Sequence, residues 1–269
     1  PKPFDHDEML LAVDRVLKEG RLNRGNRALR RDLERSFPVR NMIGNSEAME
    51  ELKHRIGRVG PTNTPVLIMG EAGTGKELTA RALHEHSERS NGPLVSVQCA
   101  ALPQALQLAE LFGDGEQPGR IEEADGGTLF LDEVGELTSE VQSRLLTLLT
   151  HHEIHRQGSL SPRRVDVRIL VSSQLDLPAR VADGSFRQDL YYRLNVMELT
   201  LPPLNDRQED LEPLANALLA RGCEKLNRPD LHFTPEALQA MHSYSWPGNV
   251  RELENVIERA VILTEEDGI

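Results

Sequence analysis

Eight residues constrain this chain more than any others: "GEAGTGKE", Gly70 to Glu77. They follow "PVLIMG" (Pro65 to Gly70), an apolar run of strand length, and precede a helical pattern through Leu78 to His86. At a strand-to-helix junction, glycines let consecutive backbone N–H groups converge on one anion, and the helix N-terminus adds partial positive charge. A lysine at the seventh position reaches the β- and γ-phosphates of a nucleotide. The expected cradle is Gly70, Glu71, Ala72, Gly73, Thr74, Gly75, Lys76 and Glu77. Glu77 departs from the usual pattern, in which a Mg2+-binding Ser or Thr follows the lysine. A glycine-rich turn alone could look similar, so a second element decides. "LFLDE" supplies it: Asp132 ends an apolar strand and can hold Mg2+, directly or through water. Glu133 beside it can orient and deprotonate an attacking water. ATP and Mg2+ are the expected ligands.

The rest of the pattern gives that junction a setting. "LVSVQC", "GTLFLDE" and "VDVRILVSS" are three further apolar runs separated by helical stretches. Such alternation predicts a parallel α/β sheet with helices on both faces. After "LPPL" (Leu201 to Leu204) the strand signals stop. Glu209 to Arg221, Pro235 to His242 and Asn249 to Thr264 then read as amphipathic helices of a small helical domain. At the other end, residues 1–38 are helical in pattern and arginine-rich. Leu22, Asn26, Leu29 and Leu33 suit either a short dimeric coiled coil with one polar core position or a solvated linker helix, given Gly25.

Composition excludes several classes. The net charge of −12 argues against this segment wrapping nucleic acid by itself, because phosphate neutralisation needs clustered Lys and Arg. Asp32 and Glu34 interrupt the one arginine run. Cys99 and Cys223 are far apart and suggest neither disulfide framework nor zinc spacing, so a cytoplasmic setting is expected. No run approaches the roughly 18 apolar residues of a membrane span, and no signal peptide is expected. Lacking an initial Met and stopping just past a helix, the chain is expected to be a fragment. His151, His152 and His155 cluster in "LTHHEIHRQG", but a change from helix to strand over Glu153 to Arg156 would break a metal-binding face.

Five motifs occur in one order: "GEAGTGKE", "ADGGTLFLDEVGE", "FRQDLYYRLNV", "LPPL" and "WPGNVRELEN". Together they resemble the central AAA+ domain of NtrC-type, sigma-54-dependent transcriptional activators (bacterial enhancer-binding proteins), over nearly everything from Met42 to about Leu263. The resemblance implies an α/β fold, an AAA+ P-loop NTPase with a parallel sheet core (39–204) plus a small C-terminal helical lid domain (205–269). That family also carries Glu after the loop lysine. It works as hexameric or heptameric rings with ATP at subunit interfaces. Arg187 and Arg193, in "FRQDLYYRL", match its arginine fingers, which reach the γ-phosphate of a neighbouring subunit and can contribute about 10³–10⁵ in rate. Arg251, in "PGNVRE", matches the sensor II arginine that connects lid to phosphates, although Pro247 also suits the first position of a helix. Ile43 and Gly44, in "MIGNSEAM", match the segment lining the adenine pocket. The opening "KPFD" and the helix Asp7 to Glu19 look like the end of a receiver domain, so residues 1–38 read as that end plus a linker helix. The parent would be a two-component response regulator served by a sensor kinase.

Departures from the family pattern qualify this picture. Activators have Asn where "LVSVQC" has Gln98, and that Asn tethers the catalytic Glu. The sensor I pair, usually Thr-Asn, is Ser173 and Gln174 here. The extra methylene in each Gln displaces its amide, and catalytic hydrogen bonds tolerate little displacement. Asn205 replaces the Arg of the usual "LPPLRER". Most of all, relatives read "ELFGHEKGAFTGA" before "GRFE", whereas this chain passes from "ELFG" through Asp114, Gly115, Glu116, Gln117 and Pro118 to "GRIEEADGG". The GAFTGA loop that contacts sigma-54 is thus expected to be missing, leaving tight-turn chemistry in Gly113, Gly115, Pro118 and Gly119.

Three functions follow from the resemblance. The first is an ATP-binding transcriptional regulator that assembles into an oligomer, holds DNA through an absent helix-turn-helix domain and meets an RNA polymerase holoenzyme other than the sigma-54 form. Some relatives lacking the loop are thought to act with the housekeeping polymerase or as repressors. The second is an active ATPase remodelling another protein. The third is a nucleotide-bound scaffold with incidental hydrolysis.

Overall fold

The computed structural model describes residues 42–115, 117–159, 161–228, 231–264 and 268–269. The leading segment, with its coiled-coil, linker-helix and receiver-end expectations, lies outside them. An amphipathic helix, α1 (Glu47–Val59), buries Met49, Leu52, Ile56 and Val59 at three- and four-residue spacing. The chain then enters β1 (Val66–Met69) and, across the glycine loop, α2 (Lys76–Glu85). After β2 (Leu94–Gln98) come α3 (Gln104–Phe112) and the single turn α4 (Arg120–Glu123), which lead to β3 (Thr128–Asp132). The helix α5 (Ser139–His151) precedes a two-residue antiparallel hairpin, β4 (Glu153–Ile154) with β5 (Arg163–Arg164). Then follow β6 (Arg168–Ser173), α6 (Leu177–Ala182), α7 (Gln188–Leu194) and β7 (Met197–Thr200).

The five long strands form one sheet in the order β2-β3-β6-β1-β7, and every neighbouring pair is parallel. Parallel strands covered on both faces read as continuous apolar runs, and β6 is buried at all six positions. The four strands expected from the sequence are present. The fifth, β7, carries no such run, because as an edge strand it buries only Leu199 fully. Since all strands run the same way, the C-terminal ends of β1, β3 and β6 lie along one edge of the sheet, where ligands of open α/β sheets bind.

The opposite edge is organised by Arg168, the first residue of β6 and 1% exposed. Its guanidinium donates to Gly60 O at 2.6 Å and Val59 O at 3.1 Å, capping carbonyls at the end of α1. Burial pushes this arginine down to about 10. The helix-terminal carbonyls compensate by their partial negative charge.

Beyond β7 a 3-10 turn (Leu204–Asp210) opens the helical part: α8 (Leu211–Leu226), α9 (Pro235–Ser243) and α10 (Asn249–Leu263). Its core joins Leu211, Leu214 and Leu219 to Trp246, Leu253 and Ile257. The sequence pattern ends α8 at Arg221, yet it runs five residues further. Gly222 does not stop it; it lies inside the helix facing α10, with Val261 Cγ2 within ordinary contact distance of where a Cβ would sit.

Between α3 and α4 the chain makes a tight turn. Asp114 and Gln117 exchange backbone hydrogen bonds of 3.1 and 2.8 Å. Gly113 (φ 87°) and Gly119 touch so closely that a Cβ on Gly119 would lie 2.3 Å from Gly113 N. Gly115 N donates to Gln157 O at 3.2 Å, and Gln157 N to Gly113 O at 2.9 Å. The Arg156 guanidinium, gripping Glu122 at 2.6 and 2.8 Å, also donates to Gly115 O at 3.2 Å. The turn is therefore tied to the segment after β4 rather than projecting.

Candidate nucleotide site

The loop between β1 and α2 has the geometry its glycines suggest. Gly73 (φ 79°) and Gly75 (φ 109°) both take left-handed backbone that disfavours a side chain. At Gly73 there is no space either: a Cβ would lie 2.2 Å from Gly248 O. Among the described residues the N–H groups of Gly73, Gly75 and Lys76 donate to nothing. Orphaned donors in a concave loop at a helix N-terminus fit phosphate oxygens. Lys76 begins α2, and its Nζ donates to Gly70 O (2.9 Å) and Glu71 O (3.2 Å) and pairs with Glu133 Oε1 (3.0 Å). Thr74 Oγ1 donates to Glu71 O, while Glu71, Ala72 and Glu77 face solvent.

Parallel strands bring the acidic pair to the same edge. Ser172, on β6, accepts from Glu133 N at 3.0 Å and donates from the same hydroxyl to Asp132. Glu133 sits in left-handed backbone (φ 59°, ψ 57°), a conformation uncommon outside glycine that clusters at functional sites. That kink turns its side chain toward Lys76, with Oε2 accepting from Gln174 N at 3.0 Å. Asp132, partly exposed with one oxygen on Ser172, keeps a free lone-pair site suited to a hard cation such as Mg2+. Buried Cys99 nearby is pushed up to about 12 by burial and then by the Asp132 charge, so its thiol is not a nucleophile.

The sensor residues meet the site differently from expectation. Ser173 Oγ bonds only its own neighbourhood, donating to Leu175 O and accepting from Leu175 N. Gln174 meets Glu133 through its backbone, so its longer side chain, which is exposed, displaces nothing. Gln98 ends β2 beside Asp132 in register, yet its side chain is exposed and reaches neither Glu133 nor any other described group.

The helical part closes over the loop through Asn249, which is fully buried. Its Nδ2 donates to Glu71 Oε2 and Ala72 O, both at 3.0 Å, and its Oδ1 accepts from Leu204 N at 2.7 Å. Val250 N adds a bond to Gly73 O at 3.0 Å. Arg251, one residue on, is exposed above Gly73. Pro247 is not the first residue of α10; the helix starts at Asn249 with Gly248 as its cap, because Asn249 needs positive φ (52°) to reach the loop. Asn249 lies inside "WPGNVRELEN", where the sequence marks Pro247 and Arg251 instead, and Ser172 stands next to Ser173.

Ile43 packs on the helical core, and Gly44 (φ 142°) leaves room for Asp210, whose carboxylate would lie 2.8 Å from a Cβ there. Asp210 accepts from Asn45 N, Ser46 N and Ser46 Oγ at 2.6, 2.8 and 2.6 Å, pinning this segment beside α8. Arg187, the N-cap of α7, and Arg193, in its last turn, are both exposed. Arg187 is clamped by Asp189 at 2.7 and 3.0 Å, whereas Arg193 pairs with nothing among the described residues. The three histidines form no metal-binding group there. Likewise, no described helix is long and apolar enough to cross a membrane.

Residues 42–200 match the sigma-54 interaction domain family, and residues 205–269 match an AAA+ ATPase lid domain. The transcriptional regulatory protein ZraR of Klebsiella oxytoca is 45% identical over 97% of this chain and 60% of its own length. The regulatory protein AtoC of Escherichia coli K12 is 42% identical over 97% of this chain and 59% of its own. A crystal structure of NtrX from Brucella abortus in complex with ATP superposes with a TM-score of 0.83 at 38% identity, covering 98% of this chain and 57% of NtrX. The chain thus spans about 60% of the length of the curated relatives it matches. The AAA+ P-loop fold expected from the motifs, a parallel sheet with a C-terminal helical lid, is the fold observed. With a family match over more than half its residues and regulators of this kind aligned along nearly all of it, the chain belongs to the sigma-54 interaction family of AAA+ domains.

Proposed function

We propose that this chain is the ATP-binding, slowly hydrolysing core of a cytoplasmic two-component transcriptional regulator that works without gripping sigma-54. The observation that carries this reading is a complete phosphate cradle combined with a tied-down turn at Gly113–Gly119. A loop that remodels sigma-54 has to rise from its subunit, and seven residues held by Gln157 and Arg156 give it no reach. On this reading the GAFTGA loop is absent. Residues 1–38 are the end of a receiver domain and a linker helix, 39–204 the α/β subdomain and 205–269 the lid. Outside this chain lie a receiver domain served by a sensor kinase and a helix-turn-helix domain that holds DNA.

ATP occupies the cradle, with Gly70 to Glu77 and Arg251 at its phosphates and Ile43 and Gly44 at its base. NtrX, crystallised with ATP and with ADP, supports this placement by its likeness. Asp132 would hold Mg2+, directly or through water, and the ion would supply neutralisation of phosphate charge. Lys76 leaves Glu133 for the β- and γ-phosphates. Glu133, steered by the Gln174 backbone, then takes the proton of the water that attacks the γ-phosphorus, as ADP leaves. Arg187 and Arg193 act on the nucleotide of the neighbouring subunit in a hexameric or heptameric ring, a reading their exposure supports. Gln98 stands clear of Glu133, which argues for slow turnover and leaves a second reading, a nucleotide-occupied scaffold.

In vitro transcription with each polymerase holoenzyme, with ATP or a non-hydrolysable analogue, tests the proposal. Regulation through a holoenzyme other than the sigma-54 form is expected, and isomerisation of sigma-54 holoenzyme would sink it. Glu133-dependent phosphate release at ring-forming concentrations separates hydrolysis from scaffolding. Assembly and regulation unchanged in Lys76→Ala would eliminate any nucleotide-driven role. Arg187→Ala should abolish turnover while leaving ATP binding by the monomer nearly unchanged; equal loss of binding contradicts a role in trans.

A further inference from the structure

The segment that leaves the catalytic strand, Val134 to Thr138, is held by buried side chains from several elements. Gln107, on α3 and 1% exposed, closes a two-way amide clamp on it: Nε2 donates to Glu136 O and Oε1 accepts from Thr138 N, both at 3.0 Å. Arg180, on α6, donates to Gly135 O at 2.7 Å. Gln142, on α5 and 1% exposed, donates to Leu137 O at 2.9 Å and to Ser185 O at 3.0 Å, while its Oε1 accepts from Arg187 N at 2.9 Å.

Gln142 is out of place on hydrophobicity alone. Its helix neighbours Val141, Leu145 and Leu148 are core residues, and an apolar side chain would fill the position without desolvating an amide. Both amide donors and the acceptor are nevertheless used, and all three partners are backbone groups. One partner lies four residues after Glu133; the other two flank Phe186 at the start of α7. The next residue of α5, Ser143, accepts from the Arg187 guanidinium at 3.3 Å, so this helix holds Arg187 at both its backbone and its tip.

We propose that Gln142 is a positioning residue that couples a subunit's own catalytic glutamate to the arginine that the subunit lends to its neighbour's nucleotide. The proposal rests on the reading of Arg187 as a finger acting in trans. When Lys76 exchanges Glu133 for phosphate, the strained kink at Glu133 is free to relax. The segment after it is packed and hydrogen-bonded on several sides, so its movement passes to Leu137 and, through one amide, to Ser185 and Arg187. A nucleotide arriving in one site thereby sets the finger for the next.

The test uses the full chain at ring-forming concentration, comparing wild type with Gln142→Met, which matches the volume without the amide, and Gln142→Glu, which keeps the acceptor but sets a carboxylate against two carbonyls. Amide hydrogen exchange is followed over 133–138 and 185–190, with and without a non-hydrolysable ATP analogue. In wild type both segments should respond together. In Gln142→Met the first should still respond and the second should not, and the Arg187 amide should exchange faster by about fivefold or more. Turnover should fall about tenfold or more with analogue affinity within about twofold. If 185–190 still follows 133–138 in Gln142→Met, the coupling is refuted. Should Gln142→Met fail to fold, Gln142→Glu is judged by the same criteria. Wild type without Glu133-dependent phosphate release would refute the hydrolysis reading alone, because the paired exchange response still decides the coupling.

Discussion

Asn249 offers the sharpest test of how the lid is fastened to the phosphate loop. Asn249→Ala removes an acceptor from Leu204 N, a donor in a residue 1% exposed with no other partner. Orphaning a buried donor costs about 1–3 kcal/mol. Alanine would also have to adopt φ 52°, which adds about 1–2 kcal/mol. Glu71 and Ala72, exposed, can turn to water and contribute little. The sum is about 3 kcal/mol, and at about 2–4 °C per kcal/mol for a domain of this size the melting temperature should fall by about 6–12 °C. Asn249→Gly removes the hydrogen bonds but not the backbone conformation, so it should lose about 1–2 kcal/mol less. Calorimetric unfolding of the three proteins should rank wild type above Asn249→Gly above Asn249→Ala. An alanine variant melting within about 2 °C of wild type, or a glycine variant below it, would refute the reasoning.

Other expectations follow from single contacts. The Arg156 guanidinium holds the Glu122 carboxyl below its ordinary value. Stability from this pair is therefore full above pH about 4.5 and lost as pH falls through the lowered folded value; Glu122→Gln should lose about 3 kcal/mol at neutral pH and flatten the acid limb of the unfolding profile. An unchanged acid limb would contradict this. Gly73→Ala, with its Cβ 2.2 Å from Gly248 O, should push the lid off the loop and reduce affinity for an ATP analogue by at least about tenfold, measured by fluorescence titration. Gly119→Ala, whose Cβ would meet Gly113 N at 2.3 Å and Leu111 O at 2.4 Å, should open the α3–α4 turn, lower stability by about 2 kcal/mol or more and create a protease-sensitive site there. Retained protease resistance would show that the turn does not depend on that close approach.

Much of the site could be read from contiguous residues because its chemistry is local. A glycine loop needs glycines in sequence, and Asp132 and Glu133 share one strand end. The same holds for β1, β2, β3 and β6, whose double-sided burial demands unbroken apolar runs. Elements with mixed surroundings gave weaker signals. Edge strand β7 alternates, and α8 passes straight through Gly222, a residue that reads locally as a helix end. Gln174 meets Glu133 through its backbone N–H, a contact that no side-chain pattern reveals. Gln98 was expected in the catalytic network and lies outside it.

What the chain's linear order could determine was the inventory: a phosphate loop, an acidic strand end, two arginines in the "FRQDLYYRL" motif and a glycine-rich turn after "ELFG". What only the tertiary structure decided was their coupling. Ser172 meets Glu133 across 39 positions, Gln142 meets Arg187 across 45, and Asn249 meets Glu71 across 178. Each is a short polar side chain of a kind common on surfaces, and nothing in its immediate neighbours marks it. Such a residue gains its role only when a parallel sheet and a docked lid remove water around it, so that the hydrogen bonds it makes can no longer be exchanged for solvent.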